Sequence, residues 1–199
     1  MPHCFFDNNK GYQKGIYQLR GHIDDDREHY LNRIKPIFKL LYGFDVSLRV
    51  MPSTRVFGFQ IWCNKLVDFK KGLGLPLGKK FDIEIPLVFL ESDKLKSAVI
   101  RGIFDTDGCV YLQPKYGKLY PRLEIVTISK KLSEQLLRSL NDLGLRTTCY
   151  SSSSNILNRM KVYKITVRGV EMFDRFMEII KPANPKHIRQ YILFKETFK

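Results

Sequence analysis

The sequence predicts an α+β fold made of two similar half-domains related by a pseudo-two-fold axis. Strict alternation of apolar and polar residues, as in "RVFGFQIW" (55–62), is typical of half-buried strands in an antiparallel sheet. The order strand–helix–strand–strand–helix then occurs twice, from Tyr17 to Lys80 and from Tyr120 to His187. A repeat of this kind within one chain indicates two copies of one unit around a pseudo-two-fold axis.

The first copy of the repeat contains three predicted strands and two predicted helices. The strands lie near Ile16–His22, Asp45–Val50 and Arg55–Trp62, and the helices at Asp26–Tyr42 and Leu66–Leu73. In "DVSLRV" (45–50) every second residue is apolar, which places these side chains on one face of a strand. This copy belongs to the predicted N-terminal half-domain, residues 1–90.

The second copy follows the same order. Its strands are predicted at 120–128, 146–151 and 161–168, and its helices at Lys131–Leu143 and Val170–Ile180. Residues 86–93 link the copies, and the predicted C-terminal half-domain is residues 91–199. This half begins with a helix, residues 92–108, that lacks a counterpart in the first half, and Ser92 is its predicted N-cap.

The helix at 92–108 has two unusual features. Gly102 lies in its interior, where glycine costs about 1 kcal/mol relative to alanine, so we expect another backbone to approach closely there. Asp105 and Asp107 lie at its C-terminal end, where the helix macrodipole disfavours a carboxylate by about 0.3–1 kcal/mol. These carboxylates therefore require a positively charged partner. Gly108 is the predicted left-handed residue that ends the helix.

The charge balance favours a polyanionic partner. The 34 lysines and arginines exceed the 20 aspartates and glutamates and leave a net charge of +14, a field that most often serves nucleic-acid binding. The sequence has no run of about 18 apolar residues, so neither a transmembrane helix nor a membrane partner is expected.

The spacing of the cysteines does not fit a cysteine-based metal site, and the spacing of the acidic residues does not fit an EF-hand. The four cysteines (Cys4, Cys63, Cys109 and Cys149) are scattered without a Cys-x-x-Cys pair, and we expect them to be reduced in a cytosolic protein. An EF-hand loop that started at Asp105 would place Tyr116 at the twelfth position, where a glutamate is required.

The segment "IRGIFDTDG" (100–108) resembles the LAGLIDADG motif of homing endonucleases, in the form RGxFDTDG. Its flanks extend the resemblance. "LGLPLGKKFDIEIP" (73–86) is similar to the segment that precedes the second motif in this family, and "YPRLEIVTISKKLSEQLLRSLNDLG" (120–144) is similar to the strand and helix that follow it. The likeness extends over nearly the whole chain.

The resemblance implies a fold and a metal site. Each half-domain would have the order αββαββα, and two motif helices would pack at the axis, here through Val99, Gly102 and Ile103. Each helix end would bring an acidic residue to the scissile phosphates, where Mg²⁺ or another divalent cation binds. Asp107 would be that ligand, together with the carbonyl of Thr106, because hard cations prefer oxygen donors. Asp105 would orient the turn.

The resemblance also implies a DNA-binding surface, in which the two antiparallel sheets form a saddle in the major groove. Candidate base-contacting residues on the polar strand faces are Gln18, Arg20, Arg49, Arg55, Gln60, Arg122, Lys161 and Lys164. In this family, polar and basic residues position water around the catalytic site. The positions of this chain that match them, around Asp107, are His22, Lys65, Thr127 and Arg168.

The sequence departs from this family in one respect, because a single-chain member carries two motifs and only one is present. In the second copy Gly108 lies 12 residues before Tyr120. The same count back from Tyr17 in the first copy reaches Phe5, which leaves no room for a motif helix before it. The first motif helix is therefore absent or truncated. The chain is either a truncated product, a degenerate relative, or a subunit that pairs with another chain through its exposed motif helix.

The leading functional prediction is a site-specific endonuclease that hydrolyses double-stranded DNA at a long target with Mg²⁺ and serves intron homing. With one motif missing, nicking or loss of activity is an open alternative. A second alternative is a non-cleaving relative, either an RNA maturase that binds intron RNA or a DNA-binding regulator. A third is a metal-binding α+β protein without a nucleic-acid partner. We expect a monomeric pseudo-dimer or a dimer, in the cytoplasm of an archaeal-like prokaryote or in an organelle.

Overall fold

A computed structural model of the chain describes residues 3–7, 14–51, 54–78, 81–152 and 160–197. It contains two four-stranded antiparallel sheets together with α-helices. This confirms the predicted α+β class and the antiparallel pairing of both sheets.

The first sheet has the strand order β1-β2-β4-β3. Its strands are β1 (His3–Asp7), β2 (Lys14–His22), β3 (Arg49–Met51) and β4 (Val56–Trp62). Between β2 and β3 the chain forms the α-helical turn α1 (Arg27–His29), a π-helical segment (Tyr30–Ile34) and α2 (Lys35–Tyr42). The helix α3 (Asn64–Gly72) follows β4.

The second sheet has the order β5-β6-β8-β7, which repeats the pattern of the first. Its strands are β5 (Gly108–Lys115), β6 (Lys118–Thr127), β7 (Thr147–Ser152) and β8 (Val162–Arg168). The helices of this part are α4 (Asp93–Asp107), α5 (Lys130–Asp142), α6 (Val170–Ile179) and α7 (Pro185–Thr197), and a 3₁₀ turn (Leu87–Leu90) precedes α4.

The strand register confirms the internal repeat and corrects its alignment. Ile16 pairs with Trp62 in the first sheet, and Arg122 pairs with Arg168 in the second. Equivalent positions are therefore 106 residues apart, and the helices that follow, which start at 64 and 170, keep the same interval. The counterpart of Gly108 thus falls at position 2, which lies outside the described residues, and not at Phe5.

The chain divides into two compact units, whose boundaries differ from residues 1–90 and 91–199. The first unit is Met1–Lys79 with Ala183–Lys186, and the second is Lys80–Pro182 with His187–Lys199. Residues after 80 join the second unit through two polar side chains. The Ser129 hydroxyl donates to the carbonyl of Ile83 at 2.6 Å, and Gln135 hydrogen-bonds both backbone groups of Ile85.

The short segment Ala183–Lys186 belongs to the first unit because of Asp26. This carboxylate is buried and accepts hydrogen bonds from the backbone N–H of His22 at 2.7 Å and from the side chains of Asn184 and Lys186, both at 2.8 Å. Burial raises the pKa of Asp26, but these hydrogen bonds outweigh burial and hold it below its ordinary value of 3.8.

The core of the first unit is aromatic. Tyr17 and Phe59, from adjacent strands, pack against Phe38 of α2 at ring-centroid distances of 5.4 and 4.8 Å. The predicted strand at Asp45–Val50 is wrong over most of its length, because pairing with β4 begins only at Arg49. Val46 is nevertheless buried in this core, which accounts for the apolar alternation in the sequence.

The helix α7 was not predicted from the sequence. In the second unit, Phe194 of α7 packs against Phe173 of α6 at 5.3 Å between ring centroids. Tyr191 donates a hydrogen bond to Asp174 at 2.8 Å, and burial together with this carboxylate raises the pKa of Tyr191 to about 12. None of the helices in the described ranges has the length and apolar composition that a membrane crossing requires.

Candidate functional site

The helix α4 ends directly at the start of a strand. Ser92 caps its N-terminus as predicted and accepts a hydrogen bond from the N–H of Leu95 at 3.3 Å. The prediction of a left-handed cap at Gly108 is wrong, because Gly108 is extended, with φ −86° and ψ 157°, and is the first residue of β5. A Cβ there would lie 2.3 Å from the Phe104 ring, so packing is what requires glycine.

Asp107, the last residue of α4, is exposed, whereas Asp105 is buried. The Thr106 hydroxyl lies 2.9 Å from a carboxylate oxygen of Asp107 and 3.1 Å from the carbonyls of Gly102 and Ile103. Thr106 thereby ties the Asp107 carboxylate to the last turn of the helix. Of the two aspartates, Asp107 is the one whose side chain is accessible to a ligand from solution.

A buried histidine contacts the same helix end. In the second unit, Nε2 of His187 lies 3.0 Å from the carbonyl oxygen of Phe104, and the two rings pack at 4.4 Å between centroids. This carbonyl also accepts the N–H of Gly108. His187 is the third residue of α7 and was missed by the sequence analysis, since its partner is 83 residues away along the chain.

We expect the substitution His187→Leu to destabilise the last turn of α4. It fills the position with an apolar side chain and removes one of the two hydrogen bonds that the Phe104 carbonyl accepts, which costs about 0.5–1.5 kcal/mol. Hydrogen exchange of the amides at 105–108 should become faster than in the wild-type protein. The matched variant His187→Gln keeps an N–H donor near the position of Nε2 and should restore part of the protection; equal exchange in both variants would contradict this role.

The three residues of the predicted helix interface differ in burial. Ile103 is buried, Val99 is half-buried and Gly102 is exposed. Apart from Gly102 itself, its two chain neighbours and the nearby backbone of α4, no described atom lies within 4 Å of the position that a Cβ of Gly102 would occupy. The close backbone approach expected at Gly102 is therefore not found in this part of the chain.

The outer face of the first sheet collects four of the predicted DNA-contacting residues. Gln18 pairs with Gln60 across β2 and β4 and donates to it at 2.6 Å. Arg20 and Arg49 both pair with Gly58, one on each side of β4. The register therefore places all four on one face.

Arg55 and Lys161 do not lie on strands, which corrects two predictions. Arg55 precedes β4 in a turn, with a φ of 51°, and its guanidinium lies 3.5 Å from the carboxylate of Asp24. Lys161 precedes β8, and its ammonium lies over the ring of Tyr163 at 5.6 Å. Both side chains are exposed.

The outer face of the second sheet mixes cationic, aromatic and amide side chains. Arg122 donates to Gln113 at 2.7 Å and lies directly opposite Arg168. The ammonium of Lys164 lies 3.7 Å from the carboxylate of Glu124. The predicted DNA-contacting residues Arg122 and Lys164 therefore share this face.

Burial and the nearby carboxylate of Glu124 raise the pKa of Tyr111. Tyr111 pairs with Arg122 in the sheet and lies on the same face. Its hydroxyl consequently remains a neutral donor at physiological pH.

The four residues predicted to position water are divided between the two units. In the second unit, Thr127 accepts from the N–H of Ser129 at 3.1 Å and so supports the turn before α5. Arg168 ends β8 and stacks over the ring of Tyr150 at 4.7 Å. In the first unit, His22 lies 3.3 Å from Asp25, and Lys65 is exposed on α3. Their grouping with Asp107 stays a prediction.

Comparison with known proteins identifies the type of domain and the fold. Residues 94–181 match the family model of the LAGLIDADG-like domain. The chain is also 22% identical over 209 residues to the ribonucleoside-diphosphate reductase NrdEB subunit alpha of Bacillus subtilis (strain 168), a match that covers 96% of this chain and 17% of that relative. The chain thus spans a small part of that protein's length.

Solved structures show the same architecture. The homing endonuclease I-DmoI in complex with DNA and Ca superposes with a TM-score of 0.64 at 17% identity, over 90% of this chain and 83% of that one. The LAGLIDADG meganuclease I-AabMI bound to uncleaved DNA gives a TM-score of 0.59 at 15% identity, over 96% and 84%. The chain therefore contains a LAGLIDADG-like domain at residues 94–181 and has the fold of the LAGLIDADG homing endonucleases.

Proposed function

We propose that this protein is an endonuclease that hydrolyses phosphodiester bonds of double-stranded DNA at a long specific target with Mg²⁺ or another divalent cation. The observation that carries the proposal is the exposed carboxylate of Asp107, which is held by Thr106 at the end of α4. This helix lies within the LAGLIDADG-like domain. I-DmoI, which has the same fold, is known in complexes with DNA and Ca and with DNA and Mn.

The donors at the end of α4 fit a hard cation. The Asp107 carboxylate and the Thr106 carbonyl are oxygen ligands, which Mg²⁺ prefers. The described residues contain no cluster of three or more histidines, cysteines, aspartates or glutamates that could hold a metal by themselves. This small donor set suits Mg²⁺, which commonly keeps several waters and takes further ligands from substrate phosphates.

The chemistry divides between the cation and the chain. When bound, the cation lowers the pKa of a coordinated water and neutralises charge on the phosphate. Asp107 would orient the cation relative to the DNA, and the Thr106 hydroxyl would limit the rotation of that carboxylate. The cation also supplies the positive partner that a carboxylate at a helix C-terminus requires.

The sheet faces would supply affinity and sequence recognition. Arginine and lysine neutralise backbone phosphates, and arginine and glutamine also form paired hydrogen bonds with base edges in the major groove. Arg20, Arg49 and the Gln18–Gln60 pair lie on one such face. The net charge of +14 favours association with duplex DNA of any sequence.

The test begins with selection of bound duplexes from a randomised library in Ca²⁺, followed by incubation of supercoiled plasmids that carry the selected site. We expect cleavage after addition of Mg²⁺ and none with EDTA. Linear product would show that both strands are cut, and open circles would show nicking. Selective binding without either product would contradict the nuclease proposal and favour a DNA-binding regulator, whereas selective binding of intron RNA would favour a maturase.

A further inference from the structure

The first turn of α7 is fixed at its start by a buried asparagine. Asn184 directly precedes α7 and is fully buried, and its side-chain oxygen accepts the backbone N–H of Lys186 at 3.2 Å. This is the hydrogen bond of an N-cap residue, and Pro185 occupies the first helical position, where proline is favoured. The sequence "NPKH" (184–187) therefore determines where α7 begins.

The NH₂ group of the same amide is bound by Asp26. It donates to the Asp26 carboxylate at 2.8 Å, and the Lys186 ammonium donates to the same carboxylate oxygen, also at 2.8 Å. An amide that faces a carboxylate on one side and a backbone N–H on the other satisfies both in only one orientation. Asp26 thus holds Asn184 in the orientation that caps α7.

Asp26 itself has little freedom to move. Its other carboxylate oxygen accepts the backbone N–H of His22 at 2.7 Å. A Cβ added at Gly21 would lie 2.6 Å from that oxygen, so the carboxylate packs directly against the end of β2. Asp26 is therefore a fixed point that links the end of β2 to the start of α7.

The same turn of α7 contacts the end of α4. His187 directly follows Lys186, and its Nε2 donates to the Phe104 carbonyl at 3.0 Å, because a carbonyl oxygen only accepts. Phe104 lies in the last turn of α4. The step from the first unit to the second is the covalent bond between Lys186 and His187. One helical turn is thus held by Asp26 through its first residues and holds α4 through the next one.

We propose that Asp26 is a positioning residue for the metal-binding carboxylate of Asp107. It orients Asn184 and Lys186 at the start of α7. This turn sets the position of His187, which fixes the last turn of α4. The role rests on the proposed function and deepens it, because a displacement of about 1 Å at a reacting centre can cost about 100-fold in rate. Asp26 acts through α7 and not by contact with the reacting groups.

The test exchanges the donor and the acceptor of one hydrogen bond. Asn184→Asp keeps an oxygen that caps α7, since aspartate and asparagine cap about equally well, but it replaces the donor to Asp26 with a second anion. Asp26→Asn combined with Asn184→Asp restores the bond in the opposite direction and has the net charge of the wild-type protein. The single variant should therefore break the link, and the double variant should re-form it.

Hydrogen exchange of the DNA-free protein measures the link without any cleavage. In Asn184→Asp the amides at 105–108 should exchange about threefold to tenfold faster than in the wild-type protein, as expected for the local loss of one hydrogen bond. The amides of β6 should keep their wild-type rates, and the double variant should return the rates at 105–108 to those of the wild-type protein. Lys186→Met removes the other side-chain donor to Asp26 and should accelerate the same amides by a smaller factor.

Cleavage of the selected target is the readout that a purely structural role would not change. At saturating DNA, Asn184→Asp should lower the single-turnover rate about tenfold or more, while its DNA affinity stays within about twofold of the wild-type value. The double variant should recover the rate.

Asn141→Asp is the matched control. Asn141 is exposed on α5, and its side-chain oxygen accepts the N–H of Thr147 at 3.1 Å. The substitution adds the same charge and keeps an accepting oxygen, so exchange at 105–108 and the cleavage rate should both stay at their wild-type values.

The remaining outcomes separate this role from the nuclease proposal. Unchanged exchange at 105–108 in both Asn184→Asp and Lys186→Met overturns it, and so does faster exchange that includes β6, which would show a general loss of stability. Altered exchange with an unchanged cleavage rate, or a double variant that restores neither, also overturns it. Exchange that is altered and then restored in a protein that never cleaves DNA would support the link and reject the nuclease.

Discussion

Asp107→Asn is expected to lower the rate of DNA cleavage at least about 100-fold, since a metal's stabilisation of transition-state charge is worth several kcal/mol and 1.4 kcal/mol is tenfold in rate. The amide keeps the size of the side chain and its contact with Thr106 but removes the anionic ligand. DNA affinity should be retained, because the predicted DNA-contacting side chains belong to the sheets and their flanking turns and not to α4. Single-turnover cleavage of the selected target in Mg²⁺, with DNA affinity measured in parallel, provides the two values.

The control for this substitution lies on the same helix. Asp93→Asn removes an equal charge at the first residue of α4, where the carboxylate faces the positive end of the macrodipole. It should lower stability by a few tenths of a kcal/mol up to about 1 kcal/mol and leave cleavage intact. Cleavage by Asp107→Asn at a rate within a few-fold of the wild-type rate would remove Asp107 from the mechanism.

Asp26→Ala is expected to lower the free energy of unfolding by about 3 kcal/mol, because removal of a buried carboxylate leaves its donors without an acceptor. The donors are the backbone N–H of His22 and the side chains of Asn184 and Lys186. Segment 183–186 should also lose its attachment to the first unit. Denaturant unfolding measures the first effect, and faster trypsin cleavage after Lys186 measures the second.

Asp25→Ala is the control, since Asp25 is the preceding residue and its side chain is 64% exposed. The pH dependence is a further test. The folded-state pKa of Asp26 is lowered, so its contribution is complete above the unfolded pKa near 3.8 and is lost as the pH falls through the folded value. The difference between the wild-type protein and Asp26→Ala should therefore shrink in strong acid. Equal losses for the Asp25 and Asp26 variants at neutral pH would contradict this account.

The fold was predictable wherever one face of an element is buried. The alternation of apolar and polar residues correctly predicted β2, β4, β6 and β8. It predicted a strand wrongly at Asp45–Val50, where Val46 is buried although the segment around it does not pair with another strand. The helix α7 has a weak pattern, since Ile188, Ile192 and Leu193 are exposed while Phe194 is buried. Such a helix is positioned by contacts that are distant in sequence, and periodicity does not report them.

The candidate site was predictable only where it is formed by residues that are neighbours in the sequence. Asp107 and Thr106 are neighbours within one motif, and the structure places them in contact. His187 contacts the same helix end from a distant part of the chain, and no local sequence pattern predicts this contact. Arg122 and Arg168 are brought opposite each other by the register of β6 and β8, which the pattern of a single sequence does not report.

The attachment of residues 183–186 to Asp26 affects how this protein can be re-engineered by exchange of modules. Because these four residues come from the far end of the chain, a fragment cut after position 79 would lack two of the three donors to that buried acid, the side chains of Asn184 and Lys186. A chimera that grafts the first module onto a foreign partner should therefore carry this tetrapeptide with it, or supply it as a synthetic peptide in trans.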